Sequence, residues 1–395
     1  RELPRRSGSK RIVVVNYYPL EFWGGGEVLS RRLLDHLGRR HEVEYLAPEE
    51  FTGTLRTTRE SAMDGALFSY RRIPFRRPSL LPRALIRPVP PIEYLDRADL
   101  IMIFLDRPPA VEFLRELVDL GKPTIFLLHG LTFERFSAQS MENLVVDAYQ
   151  AWMRLYLRMS GKLLRYGRFY FQVLNESQAS FLEKLGVDKS RIFLIPNSVD
   201  FSAYRVSRND ASFGIIYMGR LERLVKGTRL LERVALESTE LDGRVEFLVM
   251  GSGSAGAFME RLAARGRRIA FMGQVNDPVL KSELLSRSNL MVSFSTMESF
   301  SMSILEGLAS GLPILCTDTS GPRSIVGKDR RFGQVLKFDA HEFIDAIEDY
   351  LAKWSSDPAL YFAEKLERRN VAEATFGRMR MEELYEAMIE VALGP

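Results

Sequence analysis

At 395 residues the chain is longer than one ordinary hydrophobic core supports, and two domains of about 150–200 residues each are expected. Hydrophobic residues make up 46% and charged residues 27%, enough to bury a full core in each. His36, His41, His129, His341 and the single Cys316 never cluster, so neither a zinc site nor a disulfide framework is readable, and a net charge of +4 points to a partner only through its placement.

Residues 1–10 are basic, carry Ser-Gly-Ser and lack the apolar stretch of a secretory signal, the composition of a flexible tail. No segment reaches the ~18 uninterrupted apolar residues of a membrane span, and a reduced, cytoplasmic protein is the expectation. The first strand signal is Arg11-Ile-Val-Val-Val-Asn16, a β-branched run of the kind buried on both faces. Gly24-Gly25-Gly26-Glu27 follows and opens an amphipathic helical pattern over residues 27–37. Glycines let a backbone approach an anion, and a helix start offers unpaired N–H groups. The spacing matches neither a dinucleotide fingerprint nor a P-loop, so anion contact and a plain strand-to-helix turn both stay open. Strand-like runs at 43–46, 100–105 and 124–128 alternate with helical patterns such as 110–120, which indicates a parallel sheet with crossover helices. His129-Gly130 ends the last of these strands, where a histidine is either a polar contact facing a cleft or a structural residue.

Pro196-Asn-Ser and Ser207-Arg-Asn-Asp-Ala-Ser mark a boundary near residues 196–212, after which the alternation restarts. Strands are expected at 213–218, 245–250, 269–272, 290–294 and 313–316, helices at 228–236, 279–286 and around 303–310, with 340–393 mostly helical. Gly219-Arg220 through Lys226-Gly227 lies between a strand and a helix. Its arginine fork and lysine point charge suit a diphosphate, with a solvated basic loop as the alternative. Gly251-Ser-Gly253-Ser-Ala-Gly256 contains G-x-G without the full fingerprint, and a turn of small residues lining a nucleotide site fits it as well as a nicotinamide or flavin site. The most informative segment is Glu298-Ser-Phe-Ser-Met-Ser-Ile-Leu-Glu306, two carboxylates in an otherwise apolar stretch. An unpaired buried carboxylate is costly, so each needs a sugar hydroxyl, a basic group or a backbone amide. Against this stand a solvated loop position for Glu298 and a capping box, Ser303-x-x-Glu306. Cys316, in the run Leu312-Pro-Ile-Leu-Cys, reads as a small buried hydrophobe.

The ordered series Pro196-Asn197-Ser-Val-Asp200, Met218-Gly219-Arg220, Lys226-Gly227, Val249-Met-Gly-Ser-Gly253, Phe271-Met-Gly273 and the spaced glutamates resembles the retaining glycosyltransferases of family 4, which have the GT-B fold. The fold class is then α/β, two Rossmann-like doubly wound domains facing a central cleft. Residues 11–196 would bind the acceptor and 213–375 the nucleotide-sugar donor, with 376–395 a C-terminal helix packing back on the first domain. The resemblance implies that Arg220 and Lys226, beside Gly219, hold the donor diphosphate, and that Glu298 binds donor-sugar hydroxyls near the amides of Phe300, Ser301 and Met302. It further implies that Glu306 binds the ribose, that Gly24, Gly25 and Gly26 face the diphosphate, and that His129 sits near the reacting sugar. The chain departs from the family pattern at Ser198, Ser299 and Ser301, where glycine or small residues are usual. The donor is a substrate, so no cofactor is expected. No Asp-x-Asp pair occurs, and the expectation is a metal-free site in which side-chain cations and amides stabilise the departing anion.

Two stretches bear on the acceptor. Arg71, Arg72, Arg76, Arg77, Arg83 and Arg87 precede the next acid, Glu93. Residues 149–174 carry Arg154, Arg158, Lys162, Arg165 and Arg168 among Trp152, Tyr156, Tyr166, Phe169, Tyr170 and Phe171, without an acid. Such patterns suit an anionic membrane surface and a lipid-linked or other glycan acceptor handled at the inner membrane face, or else a charged surface over core aromatics. No nucleic-acid motif accompanies them, so no nucleic-acid partner is expected. The rival readings are a nucleotide-sugar epimerase of the same fold and a non-catalytic sugar-nucleotide binding module.

Overall fold

The computed structural model describes residues 8–21, 25–51, 65–76, 88–108, 110–132, 141–264 and 268–394. These fall into two compact units, one drawn from Arg1–Phe133, Ala148–Pro196 and Met381–Pro395, the other from Glu134–Asp147 and Asn197–Arg380.

The first unit is built on seven strands: β1 Arg11–Val15, β2 Glu42–Pro48, β3 Ser69–Ile73, β4 Leu100–Phe104, β5 Thr124–Leu127, β6 Phe169–Val173 and β7 Ile192–Leu194. Their order is β3-β2-β1-β4-β5-β6-β7, and every pair is parallel. β1 is central, and its β-branched side chains serve both faces. Val13 and Val15 join Ile101, Ile103, Phe126 and Phe171 in one core, while Ile12 and Val14 join Leu33, Leu34 and Met102 in another. That second face is completed by the helix Arg378–Leu393, which contributes Met381, Tyr385, Met388 and Ile389. Each such side chain contributes about 1.5–3 kcal/mol by leaving water. Glu382 and Glu386 of the same helix approach His36 at 3.4 and 2.9 Å.

The second unit has six strands: β8 Phe213–Met218, β9 Val245–Met250, β10 Ile269–Phe271, β11 Leu290–Ser293, β12 Ile314–Thr317 and β13 Gly333–Leu336. The order is β10-β9-β8-β11-β12-β13, again all parallel. Both sheets are the doubly wound type that the alternating pattern predicts. In each, the strand order reverses beside the first strand, between β1 and β4 and between β8 and β11, and ligands of open parallel sheets bind beyond the strand ends at such a reversal. The expected strands at 213–218 and 245–250 have the bounds observed for β8 and β9.

The helix Pro358–Phe376 braces the second unit with buried cations. Lys365 Nζ donates to the carbonyls of Ser207 (3.0 Å), Ser286 (3.2 Å) and Ser288 (2.8 Å), and Arg368 donates to those of Gly311 (2.8 Å) and Arg331. Burial, with Arg368 alongside, pushes the Lys365 pKa down to about 7. The three carbonyl acceptors match the three N–H groups of an ammonium and oppose that shift. Cys316 is buried, as its apolar run suggests. No described helix is long and apolar enough to cross a membrane.

Candidate active site

The residues singled out in the second unit converge on the reversal between β8 and β11. After β8 the chain turns through Gly219–Arg220, enters the short helix Arg223–Lys226 and reverses at Gly227. Gly227 has φ +58°, and a Cβ there would lie 2.1 Å from the carbonyl oxygen of Phe294, so this turn accepts only glycine. The turn delivers Lys226 to the loop after β11. Lys226 Nζ pairs with Glu298 Oε2 and donates to Ser295 Oγ at 3.4 Å, and Ser295 Oγ donates to the same carboxylate oxygen at 2.8 Å. The Thr296 amide bonds the carbonyl of Val225 at 3.0 Å, and Thr317 Oγ1 donates to that of Ser295 at 2.5 Å. The Lys226 and Glu298 side chains are 14% and 17% exposed: covered enough for the pair to matter, open enough for a ligand to reach it.

Arg220 does not join this pair. Its side chain is 66% exposed and bonds Glu222 at 3.1 Å. It remains in the same electrostatic neighbourhood, because the Tyr217 phenol, pushed up mainly by burial and next by Glu298, is drawn the other way by Arg220. Tyr217 stacks on Phe294 and donates to the Arg220 carbonyl at 3.1 Å, which fixes the turn.

Beyond Glu298 the side chain of Phe300 is buried against Phe376. The helix Met302–Ala309 then begins with Ser301 at its N-cap, extended and making no side-chain cap bond. The first-turn amides are therefore available to an anion, supplemented by the positive end of the helix dipole. Gly321 lets the next helix approach: its amide bonds the Glu298 carbonyl at 3.0 Å, and a Cβ there would lie 2.8 Å from the Phe300 nitrogen.

Glu306 is not a capping residue. Ser301 rather than Ser303 holds the N-cap, so the capping-box reading fails. The Glu306 carboxylate instead accepts from Tyr204 Oη at 2.8 Å and from Lys281 Nζ at 2.5 Å, both on Oε1. Lys281 also lies 5.9 Å from the Tyr204 ring centroid. Arg369 ties this group to the frame, donating to the carbonyls of Phe201 (2.7 Å), Tyr204 (2.5 Å) and Ala309 (2.7 Å). Asp200, within the Pro-Asn-Ser-Val-Asp motif, accepts from the Ser202 amide and hydroxyl at 3.1 and 2.6 Å and so shapes the turn that presents Tyr204.

The G-x-G at Gly251 and Gly253 has a structural explanation. Both glycines have positive φ, and Cβ atoms there would strike the carbonyls of Gly219 (1.8 Å) and Leu221 (2.6 Å). Their bareness lets the two loops pair, Gly219 with Met250 at 3.0 Å and Leu221 with Ser252 at 2.9 Å.

In the first unit, Gly25 and Gly26 open the helix Gly25–Gly38, and Gly24 lies outside the described residues. Across the ends of β1 and β4, Tyr18 Oη donates to Asp106 Oδ2 at 3.0 Å. His129 follows β5, its ring edge-on to Phe104 at 5.0 Å and hydrogen-bonded to Gln172. Burial of the ring lowers its pKa to about 4, so it is neutral at physiological pH. A histidine whose folded pKa lies below the ordinary 6.5 makes stability fully present above that value and lost as pH falls through it towards 4. The effect is at most about 3 kcal/mol, since part of the residue still meets water. Denaturant unfolding at pH 7 and pH 4.5 checks this: in His129→Gln about 2 kcal/mol of the acid-induced loss should disappear, and an unchanged loss would refute the assignment.

The basic-aromatic stretch at 149–174 resolves into the end of the helix Met141–Met159, the helix Gly161–Tyr166 and β6. Phe169 and Phe171 are core residues of β6, and Trp152 and Tyr156 pack against that core, so most of its aromatics are structural. The run at Arg71–Arg76 includes β3, whose Arg71 is engaged by Glu44 and whose Arg72 donates to the carbonyls of Pro48 and Glu49, while Arg76 beyond the strand pairs with Glu116. Arg77, Arg83 and Arg87 lie outside the described residues. Among the described residues no group of three or more His, Cys, Asp or Glu could hold a metal ion.

Residues 23–203 match the family model described as Glycosyltransferase Family 4, and residues 212–353 the model described as Glycosyl transferases group 1. The chain is 27% identical over 181 residues to a subunit of the phosphatidylinositol N-acetylglucosaminyltransferase of Arabidopsis thaliana, covering 45% of this chain and 40% of that one. It is 30% identical over 183 residues to D-inositol 3-phosphate glycosyltransferase of Paenarthrobacter aurescens, covering 42% and 44%. These matches span less than half of either relative. HepE of Anabaena, solved with UDP and glucose, superposes with a TM-score of 0.67 at 14% identity over 96% of this chain and 99% of that one. Sucrose-phosphate synthase of Thermosynechococcus elongatus gives 0.68 at 16% identity with the same coverage, and at such identities the two structures establish the shared GT-B fold alone.

Proposed function

We propose, since the chain belongs to the group 1, family 4 glycosyltransferases, that it moves a sugar from a nucleoside diphosphate sugar held by the second unit to a glycan or lipid-linked acceptor, with retention at the anomeric carbon. The observation that carries this reading is the placement of Lys226, Ser295 and Glu298 at the β8–β11 reversal, beside the uncapped start of the helix that bears Glu306.

In this reading the anomeric C–O bond breaks and its electron pair passes to the diphosphate. Lys226 leaves its ion pair with Glu298 to neutralise the growing charge, Arg220 swings in from its exposed position, and the amides from Phe300 to Met302 point at the phosphates. Glu298, released from Lys226 and still held by Ser295, takes sugar hydroxyls. Glu306, fixed through Oε1 by Tyr204 and Lys281, turns its second oxygen to the ribose. An acceptor hydroxyl attacks the face the leaving group departs from and gives its proton to a phosphate oxygen. Gly24 to Gly26 and His129 belong to the acceptor-side unit, with neutral His129 acting as a hydrogen-bonding group near the sugar. The charge work is assigned to side chains and amides, without a metal, and the reaction to the cytoplasmic face of a membrane.

Uridine diphosphate glucose is the first donor to try, because HepE was solved with UDP and glucose. Phosphatidylinositol is the first acceptor, because two relatives carry inositol phosphates in their names. The test is nucleoside diphosphate release from a panel of donors with and without acceptors. Release that rises at least about tenfold with one acceptor supports transfer. Sugar interconversion without any acceptor would establish the epimerase instead, and donor binding with no turnover on any acceptor would establish the binding module.

A further inference from the structure

Residues 148–159 of the helix Met141–Met159, and the helix Gly161–Tyr166, lie in the first unit and have two apolar sides. Inward, Met153, Leu157 and Leu164 are buried in the core, and the Tyr156 hydroxyl accepts from the Val111 amide at 2.9 Å. Outward, a stripe at helical spacing runs across the junction through residues 151, 155, 158, 159, 162, 165 and 166. On it Leu155, Met159 and Tyr166 are 58%, 74% and 82% exposed, although the fold has no use for them. Arg158, Lys162 and Arg165, with Arg168 just beyond, are exposed between these apolar side chains. No acid occurs from residue 148 to 175.

Among the described residues none of these four cations takes part in an ion pair. The other arginine-rich segment differs, for Arg71 is paired with Glu44 and Arg76 with Glu116. Among the described residues, this helical corner keeps four cations with no carboxylate partner, whereas Arg71 and Arg76 are each neutralised by one.

We propose that this corner seats the first unit on an anionic lipid surface. Leu155, Met159 and Tyr166 enter the interface, while the long stems of Arg158, Lys162 and Arg165 lie along it with their charged heads among lipid phosphates. Charge complementarity selects this occupant. A second copy docking by a two-fold axis would set cations against cations. A nucleic acid would use the cations and leave the three apolar side chains in water. The inference is independent of the transfer chemistry, because membrane binding and nucleotide release are read separately.

The test is flotation of the full chain with vesicles of phosphatidylcholine alone or with about one-third phosphatidylglycerol, at low and high salt. Binding is expected to the anionic vesicles at low salt and to fall steeply with salt. Arg158→Gln/Lys162→Gln/Arg165→Gln should weaken it about a hundredfold, from about fivefold per cation. Leu155→Ser/Met159→Ser/Tyr166→Ser should weaken it at least about tenfold. All six side chains are exposed, so both variants should keep wild-type melting and donor release with a soluble acceptor. Absence of wild-type binding, undiminished binding by both variants, salt-sensitive binding to duplex DNA matching that to vesicles, or sedimentation without vesicles would each overturn the proposal.

Discussion

Replacing Lys226 with alanine is expected to lower kcat by about a thousandfold while unit two stays folded. The magnitude follows from the position of the cation. One preorganised donor aimed at a developing anion is typically worth about 10²–10³ in rate, and Lys226 brings a full charge rather than a dipole. In the free protein it pairs with Glu298. Its removal therefore strips the leaving group of a counter-charge and also leaves Glu298 with Ser295 as its remaining support. Both effects oppose catalysis, the first through the leaving group and the second through sugar alignment. The structural cost is modest, about 1–3 kcal/mol, because the pair is not fully dry. Lys226→Arg keeps the charge but not the point geometry, and should recover part of the loss. Steady-state turnover beside a thermal melt separates the effects: near-normal kcat in a folded Lys226→Ala protein would remove Lys226 from the mechanism, and a collapsed melt would assign the pair to structure. Arg220→Ala should lower rate less, since its exposed guanidinium must be recruited by the ligand.

The parts of this protein legible in its sequence are those governed by short-range rules. Continuous β-branched runs gave the central strands, since a strand buried on both faces has no room for polar residues. Three of the four edge strands escaped, Ile269–Phe271 being the one expected. Ser69–Ile73 bounds the first sheet and Gly333–Leu336 the second, and polar residues interrupt both; Ile192–Leu194, at the other edge of the first sheet, is apolar but only three residues long. Phe169–Val173 was hidden because its aromatics sit among arginines, and only the fold distinguishes buried Phe169 from exposed Tyr166. In the site, Lys226, Glu298 and Glu306 lie beside glycines or in an apolar stretch and could be singled out. Tyr204, Lys281, Ser295 and Arg369 could not. Tyr204 meets Glu306 across 102 residues and is met by Arg369 across 165, and no local spacing encodes such contacts. The capping box shows the converse error: Ser303-x-x-Glu306 satisfies the local rule, but Ser301 takes the N-cap and Tyr204 and Lys281 take the carboxylate.

Glu306→Ala should cost about a hundredfold in kcat/KM for the donor, carried mostly by KM. A carboxylate accepting from two ribose hydroxyls makes charge-assisted bonds worth about 1.5–3 kcal/mol together with the penalty of leaving those hydroxyls unmet. The ribose does not change during transfer, so the lost interaction is common to ground and transition states and falls on binding. Lys281 and Tyr204 act through this carboxylate. Both bond Oε1, and their loss frees it to rotate rather than deleting it. Lys281→Met and Tyr204→Phe should therefore each raise KM by about three- to tenfold with kcat nearly unchanged, and Lys281→Arg should restore most of the affinity. A donor lacking the ribose 2′-hydroxyl gives the deciding measurement. The wild type should bind it about tenfold more weakly than the normal donor, whereas Glu306→Ala should hardly distinguish the two, because the penalty has already been incurred. Equal discrimination by both proteins would mean that Glu306 does not touch the ribose, and that its contacts with Tyr204 and Lys281 only brace the helix Met302–Ala309.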